Sequence, residues 1–259
     1  MAAILKGRME FGGTINDAAR QSAAGRMPGD PSPAGMAWIP GGSFAIGSED
    51  FYPGERPVRR VAVDGFWMDE HPVTAAAFRR FARATGYVTV AEWPLDPAAY
   101  PGADPALLVP GSLVFCSSPG PVDLSDVRNW WQYLPGRAGS GPRGPGSTIN
   151  GRDRHPVVHV AYGDAEAYAS WAGKQPATEA EWEFAARGGV DGAVFAWGNE
   201  HFSDGKAMAN TWQGQCPWQN LKLDGFAGTS PAGSFRWRGR QQTPAPRPLT
   251  VLLGIDKGE

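Results

Sequence analysis

The 259-residue sequence has few charges, few cysteines and no long hydrophobic segment. Its formal net charge is −2, which gives no electrostatic reason to expect binding to nucleic acid or to an anionic membrane. No apolar run approaches the length that spans a bilayer, and the N-terminus lacks the apolar core of a signal peptide. We therefore expect a cytoplasmic protein without nucleic-acid or membrane partners, and we expect it to be a monomer.

Cysteine is scarce, since Cys116 and Cys216 are the only two in the chain. Two isolated cysteines in a cytoplasmic type of sequence are more often free thiols or buried apolar residues than a disulfide. The sequence therefore predicts that no disulfide bond supports the fold.

Glycine and proline, by contrast, are abundant, with 35 and 24 residues. Their combined share is about a fifth of the chain, which is well above average usage. Such a composition predicts short helices and strands joined by long ordered loops, and it argues against a helix bundle. Because 42% of the residues are hydrophobic, including 11 Trp, the chain can still bury a sizeable core.

The middle of the chain carries the clearest periodic patterns. The apolar β-branched run at 157–160 predicts a short buried strand. Apolar residues spaced three and four apart around Tyr168 then predict a first short helix. A second helix is predicted to begin at the capping box formed by Thr178 and Glu181 and to end at Gly188.

The N-terminal half of the folded region is predicted to alternate strands with one helix. Residues 38–46 suggest strand edges with glycine turns, and the alternating valines at 58–63 predict a half-exposed strand. Thr74 is expected to cap a helix that ends at Gly86. Residues 87–154 show no periodicity, and we predict a long irregular segment there.

Composition divides the chain into three parts. Residues 1–36 are small and polar and are punctuated by proline, so we expect a disordered leader. Residues 37–235 contain the periodic and aromatic segments and are expected to form one domain. Residues 236–259 switch abruptly to Arg, Pro and Gln, with five basic and two acidic residues, and we expect them to be a disordered basic tail.

Several motifs rich in tryptophan follow one another in the domain. They read WIPGGSF, GYVTVAEWP, PVDLSDVRNWW, HPVVHVAYGDAEAYASWAGK, TEAEWEFAARGG and ANTWQGQ. This set resembles the formylglycine-generating enzyme family, also called sulfatase-modifying factors, over residues 37–235. The resemblance implies a mixed α/β fold of the C-type-lectin-like kind with little regular secondary structure, which would be incomplete here at the C-terminus.

The resemblance also implies an oxidative activity. The family uses O2 and Cu(I) to convert a cysteine in a C-x-P-x-R sequence of a sulfatase into formylglycine, so a sulfatase polypeptide is the implied partner. Copper is held there by two closely spaced cysteines near the C-terminus, because thiolates are the ligands that suit Cu(I). Residues 236–259 contain no such pair, and Cys116 and Cys216 are too far apart in sequence to match it. No catalytic or copper-binding residue can therefore be assigned.

Three functional hypotheses remain open, and with them the question of whether this chain is an enzyme. The chain as written is an inactive member of the family, or a non-catalytic lectin-like binding module, or an active oxidase once its true C-terminus is restored. The last hypothesis treats the basic tail as the product of a frameshift or truncated gene, whereas a natural flexible tail is the alternative.

Four residues match positions that bind a structural calcium ion in the family: Asn210, Thr211, Asp224 and Phe226. The resemblance implies side-chain oxygens from the Asn and the Asp and backbone carbonyls from the other two. Hard oxygen donors from a loop suit Ca²⁺. The alternative is that Asn and Asp occur here because they favour turns.

Overall fold

The computed structural model describes residues 5–7, 33–105, 108–136, 150–189, 192–203 and 205–235. The predicted tail, 236–259, lies outside the described residues. The same holds for the predicted leader, 1–36, apart from 5–7 and 33–36. Both predictions of disorder therefore remain predictions.

Ten short strands, three α-helices and four single-turn 3-10 helices occur in the described part of the chain. The strands are β1 Leu5–Gly7, β2 Met36–Ile39, β3 Gly42–Ile46, β4 Arg59–Val63, β5 Phe66–Asp69, β6 Gly111–Phe115, β7 Trp131–Pro135, β8 Gln175–Pro176, β9 Phe202–Ser203 and β10 Lys206–Ala207. The helices are α1 Ala75–Thr85, α2 Tyr162–Trp171 and α3 Glu179–Arg187. The predicted fold class, mixed α/β with short elements and long loops, is confirmed. None of the described helices has the length and apolar character that crossing a bilayer requires.

An antiparallel four-stranded sheet, in the order β2-β5-β1-β8, lies at the centre of the fold. Strand β5 is buried on both faces because its apolar residues do not alternate with polar ones. On one face Met68 is completely buried in a core with Phe44 and other residues. On the other face Trp67 lies opposite Trp38, with ring centroids 5.4 Å apart in an edge-on arrangement.

The hairpin of β3 and β4 packs under α3. Phe44 of β3 contacts Phe184 of α3, with ring centroids 5.3 Å apart, and Ala185 is buried in the same core. The predicted capping box of α3 is confirmed, because Thr178 Oγ1 accepts from the Glu181 N–H at 3.3 Å and the Glu181 carboxylate accepts from the Thr178 N–H at 3.0 Å.

A second core lies between α1 and α2, where Phe78 and Phe81 pack against Tyr168. The predicted bounds of α1 are confirmed. Thr74 Oγ1 accepts from the Ala77 N–H at 3.3 Å, and Gly86 ends the helix with a φ of 69°.

The strand predicted at 157–160 is wrong. Only Pro156 pairs, through an isolated bridge to Thr74. Val157 is buried and its N–H donates to the Val73 carbonyl at 2.9 Å, so the apolar run fills the core without forming a ladder. His159 then takes a φ of 59°, which breaks the extended conformation.

The prediction that 87–154 is wholly irregular is also wrong, since β6 and β7 form an antiparallel hairpin within it. Phe115 pairs with Trp131 and Leu113 with Tyr133. The pattern was not recognisable because Leu113 and Tyr133 are exposed by 59% and 42%, so neither strand alternates buried apolar with exposed polar residues.

The Asp164 carboxylate connects the start of α2 to the loop that follows α1. It is completely buried. Its Oδ1 accepts from the Tyr87 hydroxyl and from the Val90 N–H, both at 3.0 Å, and its Oδ2 accepts from the Ala161 N–H at 2.7 Å. Three donors from two distant parts of the chain therefore depend on one side chain.

We predict that Asp164→Ala strongly destabilises the protein, because it removes the buried carboxylate that accepts all three hydrogen bonds. At about 1–3 kcal/mol for each unsatisfied group, the expected loss in the free energy of unfolding is about 3 kcal/mol or more. Urea denaturation measures it. The control is Glu166→Ala on the exposed side of the same helix, which should change stability by less than about 0.5 kcal/mol. Equal losses in the two variants would contradict the role given to Asp164.

Candidate functional site

The four predicted calcium-binding residues lie on two loop segments, 210–213 and 224–228, which we call the two arms. Hydrogen bonds join the arms directly. The Asn210 side-chain amide donates to the Gly228 carbonyl at 2.7 Å, and the Asp224 N–H donates to the Gln213 side-chain oxygen at 3.4 Å. Residues from both arms therefore lie on one small region of the surface.

The Asp224 carboxylate is only half satisfied. Its Oδ1 accepts from the Phe226 N–H at 2.9 Å, which closes a tight turn. Its Oδ2 is buried and has no hydrogen-bond partner among the described residues. Leaving a buried charged oxygen unpaired is costly, and a bound cation would remove that cost.

The remaining donors of the arms are neutral oxygens. The Thr211 carbonyl accepts from the Gln213 amide at 2.7 Å, and a carbonyl oxygen has a second lone pair. One carboxylate together with amide and carbonyl oxygens fits Ca²⁺ and does not fit a metal that prefers nitrogen or sulfur. Within the described ranges no group of three or more His, Cys, Asp or Glu residues could hold a metal ion, and the arms contribute only Asp224 to such a count.

Sequence reasoning missed Gln213, which bonds to both arms. The available signal was its position between Trp212 and Gly214 in the ANTWQGQ motif, directly after two of the predicted ligands. A glutamine in a loop is usually a solvated surface residue, and nothing in the sequence alone distinguishes the buried case.

The two cysteines lie on adjoining segments although a hundred positions separate them. The Ser117 hydroxyl donates to the Pro217 carbonyl at 2.7 Å, and the rings of Phe115 and Trp212 are 5.4 Å apart. Cys116 and Cys216 are both free thiols, as predicted, and both are half-buried.

The chemistry around these thiols disfavours a copper site. Burial raises the pKa of the Cys216 thiol, which disfavours the thiolate that binds Cu(I). No histidine or further cysteine joins them in a metal-binding group within the described ranges.

The segment that follows the second arm is held against the centre of the chain. His155 Nδ1 lies 2.8 Å from Thr229 Oγ1, and the Ala232 N–H donates to the Arg154 carbonyl at 2.7 Å. Gly233 lies so close to His71 that a Cβ there would be 3.2 Å from the His71 ring. These contacts fix the position of the chain just beyond Phe226, the last predicted ligand of the second arm.

We predict an acid-sensitive contribution from His155. Burial, and to a lesser degree the neighbouring Arg152, lowers the pKa of His155. A depressed pKa in the folded state gives stability that is present above the unfolded pKa of about 6.5 and is lost as the pH falls through the folded pKa. The Tm should therefore fall between about pH 7 and pH 5, and less steeply in His155→Gln.

The control is His201→Gln, an exposed histidine elsewhere in the chain. It should keep the pH dependence of the unsubstituted protein. An unchanged pH dependence of the Tm in His155→Gln would show that burial and Arg152 do not lower the pKa of His155 in the folded protein.

Residues 22–239 match the sulfatase-modifying factor enzyme 1-like domain. The formylglycine-generating enzyme of Mycobacterium tuberculosis is 55% identical over 197 residues, which cover 76% of this chain and 66% of that enzyme. The inactive C-alpha-formylglycine-generating enzyme 2 of Mus musculus is 36% identical over 245 residues, covering 85% of this chain and 73% of the relative.

Among solved structures, PvdO from Pseudomonas aeruginosa aligns with a TM-score of 0.45 and 24% identity, covering 79% of this chain and 64% of that one. The chain thus spans just under two thirds of the length of the mycobacterial relative.

Proposed function

The chain belongs to the sulfatase-modifying factor family, and we propose that these 259 residues form a calcium-binding, catalytically silent version of its domain. Support for the calcium site comes from the hydrogen bonds that join the two arms and from the buried Asp224 oxygen, which has no hydrogen-bond partner among the described residues. The two cysteines support the proposal that the domain has no catalytic activity. The family also includes relatives named as inactive, so loss of the oxidase has precedent within it.

The proposal that the chain lacks oxidase activity rests on its two cysteines. Oxidation of a sulfatase cysteine by O2 requires a soft site for Cu(I), and Cys116 and Cys216 are the only sulfur donors of that kind in the sequence. The raised pKa of Cys216 opposes formation of one of the two thiolates. Without that metal, the chain has no means of activating oxygen.

The remaining role is binding. A calcium ion at the arms would join residues 210–213 to 224–228 and so order the surface on which they lie. We propose that this surface keeps the affinity of the family for a sulfatase polypeptide without modifying it, and that the chain acts as a cytoplasmic monomer.

The second candidate function is the oxidase itself. It is favoured by the 55% identity to an enzyme named formylglycine-generating enzyme, of which this chain spans 66%. The oxidase would require two neighbouring cysteines supplied by sequence beyond these 259 residues.

We predict that the chain does not generate formylglycine. The purified protein is incubated with Cu(I), a C-x-P-x-R peptide and O2, and the aldehyde is followed by hydrazide labelling and mass spectrometry. An active family enzyme assayed in parallel is the positive control. Detection of labelled peptide with the 259-residue chain would contradict the proposed loss of activity and would favour the oxidase.

We predict that calcium raises the Tm of the protein and that EGTA reverses the rise. A ligand at one hundred times its Kd stabilises a protein by about 2.7 kcal/mol, which is measurable by thermal melting. Asp224→Asn should abolish the response because it removes the one charged donor of the arms.

The matched control is Asp123→Asn. Asp123 also accepts from the N–H two residues ahead, that of Ser125 at 2.9 Å, but it lies on a different loop. That variant should keep the full response to calcium. A calcium response that survives in Asp224→Asn would place the ion elsewhere.

A further inference from the structure

Gln213 is a buried amide in a loop. Its side chain is 5% exposed, whereas the nearby Gln215 is exposed. Its backbone carbonyl accepts from the Leu221 N–H at 2.6 Å, which fixes the main chain at this residue. Burying a primary amide is unfavourable unless its donors and acceptor are used, so its hydrogen bonds indicate what it does.

The bonds of the Gln213 side chain run to both arms. Its Nε2 donates to the Thr211 carbonyl at 2.7 Å and lies 3.3 Å from the Thr211 hydroxyl. Its Oε1 accepts from the Asp224 N–H at 3.4 Å. One amide therefore contacts two of the four predicted calcium ligands, on segments separated by more than ten residues.

These contacts fix the direction of the oxygens that would face an ion. The bond from Nε2 occupies one lone pair of the Thr211 carbonyl and sets its orientation, leaving the other lone pair for a ligand contact. The bond to the Asp224 N–H holds the backbone from which the unpartnered Oδ2 projects. Groups that orient ligands through hydrogen bonds tune metal affinity without touching the metal.

We propose that Gln213 is the positioning residue of the calcium site, acting through its hydrogen bonds to Thr211 and Asp224. The inference rests on the proposed function, because calcium is the ion proposed for these oxygens. It goes further by assigning a role to a residue outside the ligand set, and by making the two arms depend on one amide.

The chemistry of the amide is specific. Positioning both ligands requires one side chain that donates a hydrogen bond to the Thr211 carbonyl and accepts one from the Asp224 N–H. Methionine has a similar length and volume but offers no donor and only a weak acceptor. Asparagine offers both but is one methylene shorter, so it cannot span the same two partners.

The test is isothermal titration of the full 259-residue chain with Ca²⁺ after EGTA treatment and desalting. We compare the unsubstituted protein with Gln213→Met, with Gln215→Met as the matched control at an exposed position, and with Asp224→Asn. We expect Gln213→Met to raise the Kd for calcium by about tenfold to a hundredfold, the usual effect of losing an orienting partner. Gln215→Met should leave the Kd unchanged.

Melting in calcium-free buffer separates positioning from general structural support. A merely structural residue would lower the calcium-free Tm and leave the Kd of the folded protein unchanged, and that result overturns the proposal. Should Gln213→Met fail to melt cooperatively, Gln213→Asn replaces it, with the same expected rise in Kd.

The remaining outcomes distinguish failure of the calcium site from failure of the role proposed for Gln213. If Asp224→Asn loses calcium binding but both Gln213 variants bind normally, the calcium site stands and the role of Gln213 is overturned. If the unsubstituted protein binds no calcium, or Asp224→Asn binds as well as it does, the proposed site fails and the role of Gln213 fails with it.

Discussion

The order of the long loops depends on buried side chains that bond to distant backbone groups, and Asp164 is the strongest case. Its carboxylate is wholly enclosed and accepts three hydrogen bonds. Strands of two to five residues and helices of nine to eleven cannot by themselves hold such loops in place. Gln213 is a second buried side chain of this kind, since its amide bonds to backbone groups in both arms.

This construction explains how a chain rich in glycine and proline can still present a defined site. The arms contain no helix and no strand, yet hydrogen bonds of the Asn210 and Gln213 side-chain amides join them. Asp224 and the two cysteines, which would bind different kinds of metal ion, lie in different parts of the same region. Asp224 carries a buried oxygen without a partner among the described residues, whereas the sulfur donors Cys116 and Cys216 lie on adjoining segments without a third ligand group there.

The features that could be predicted from the sequence are those that depend only on interactions between neighbouring residues. Thr74 and Thr178 gave the helix starts correctly because a cap requires only neighbouring residues. The strand expected at 157–160 failed because β-branched residues fill a buried corner as readily as a ladder, and only tertiary contacts decide which.

The β6–β7 hairpin was missed for a related reason, since its pairing joins residues separated by the whole stretch 116–130. Within the site, the resemblance supplied the four candidate ligands. The role of Gln213 became visible only when its burial and its partners were known.

We propose that this polypeptide holds a hard cation and not a soft one. Native mass spectrometry of the chain in the presence of equal concentrations of Ca²⁺ and Cu(I) tests it most directly. We expect one bound calcium ion, displaced by EGTA, and no copper adduct that survives mild chelation. A retained cuprous ion that is lost in Cys116→Ser or Cys216→Ser, with no calcium bound, would contradict the claim.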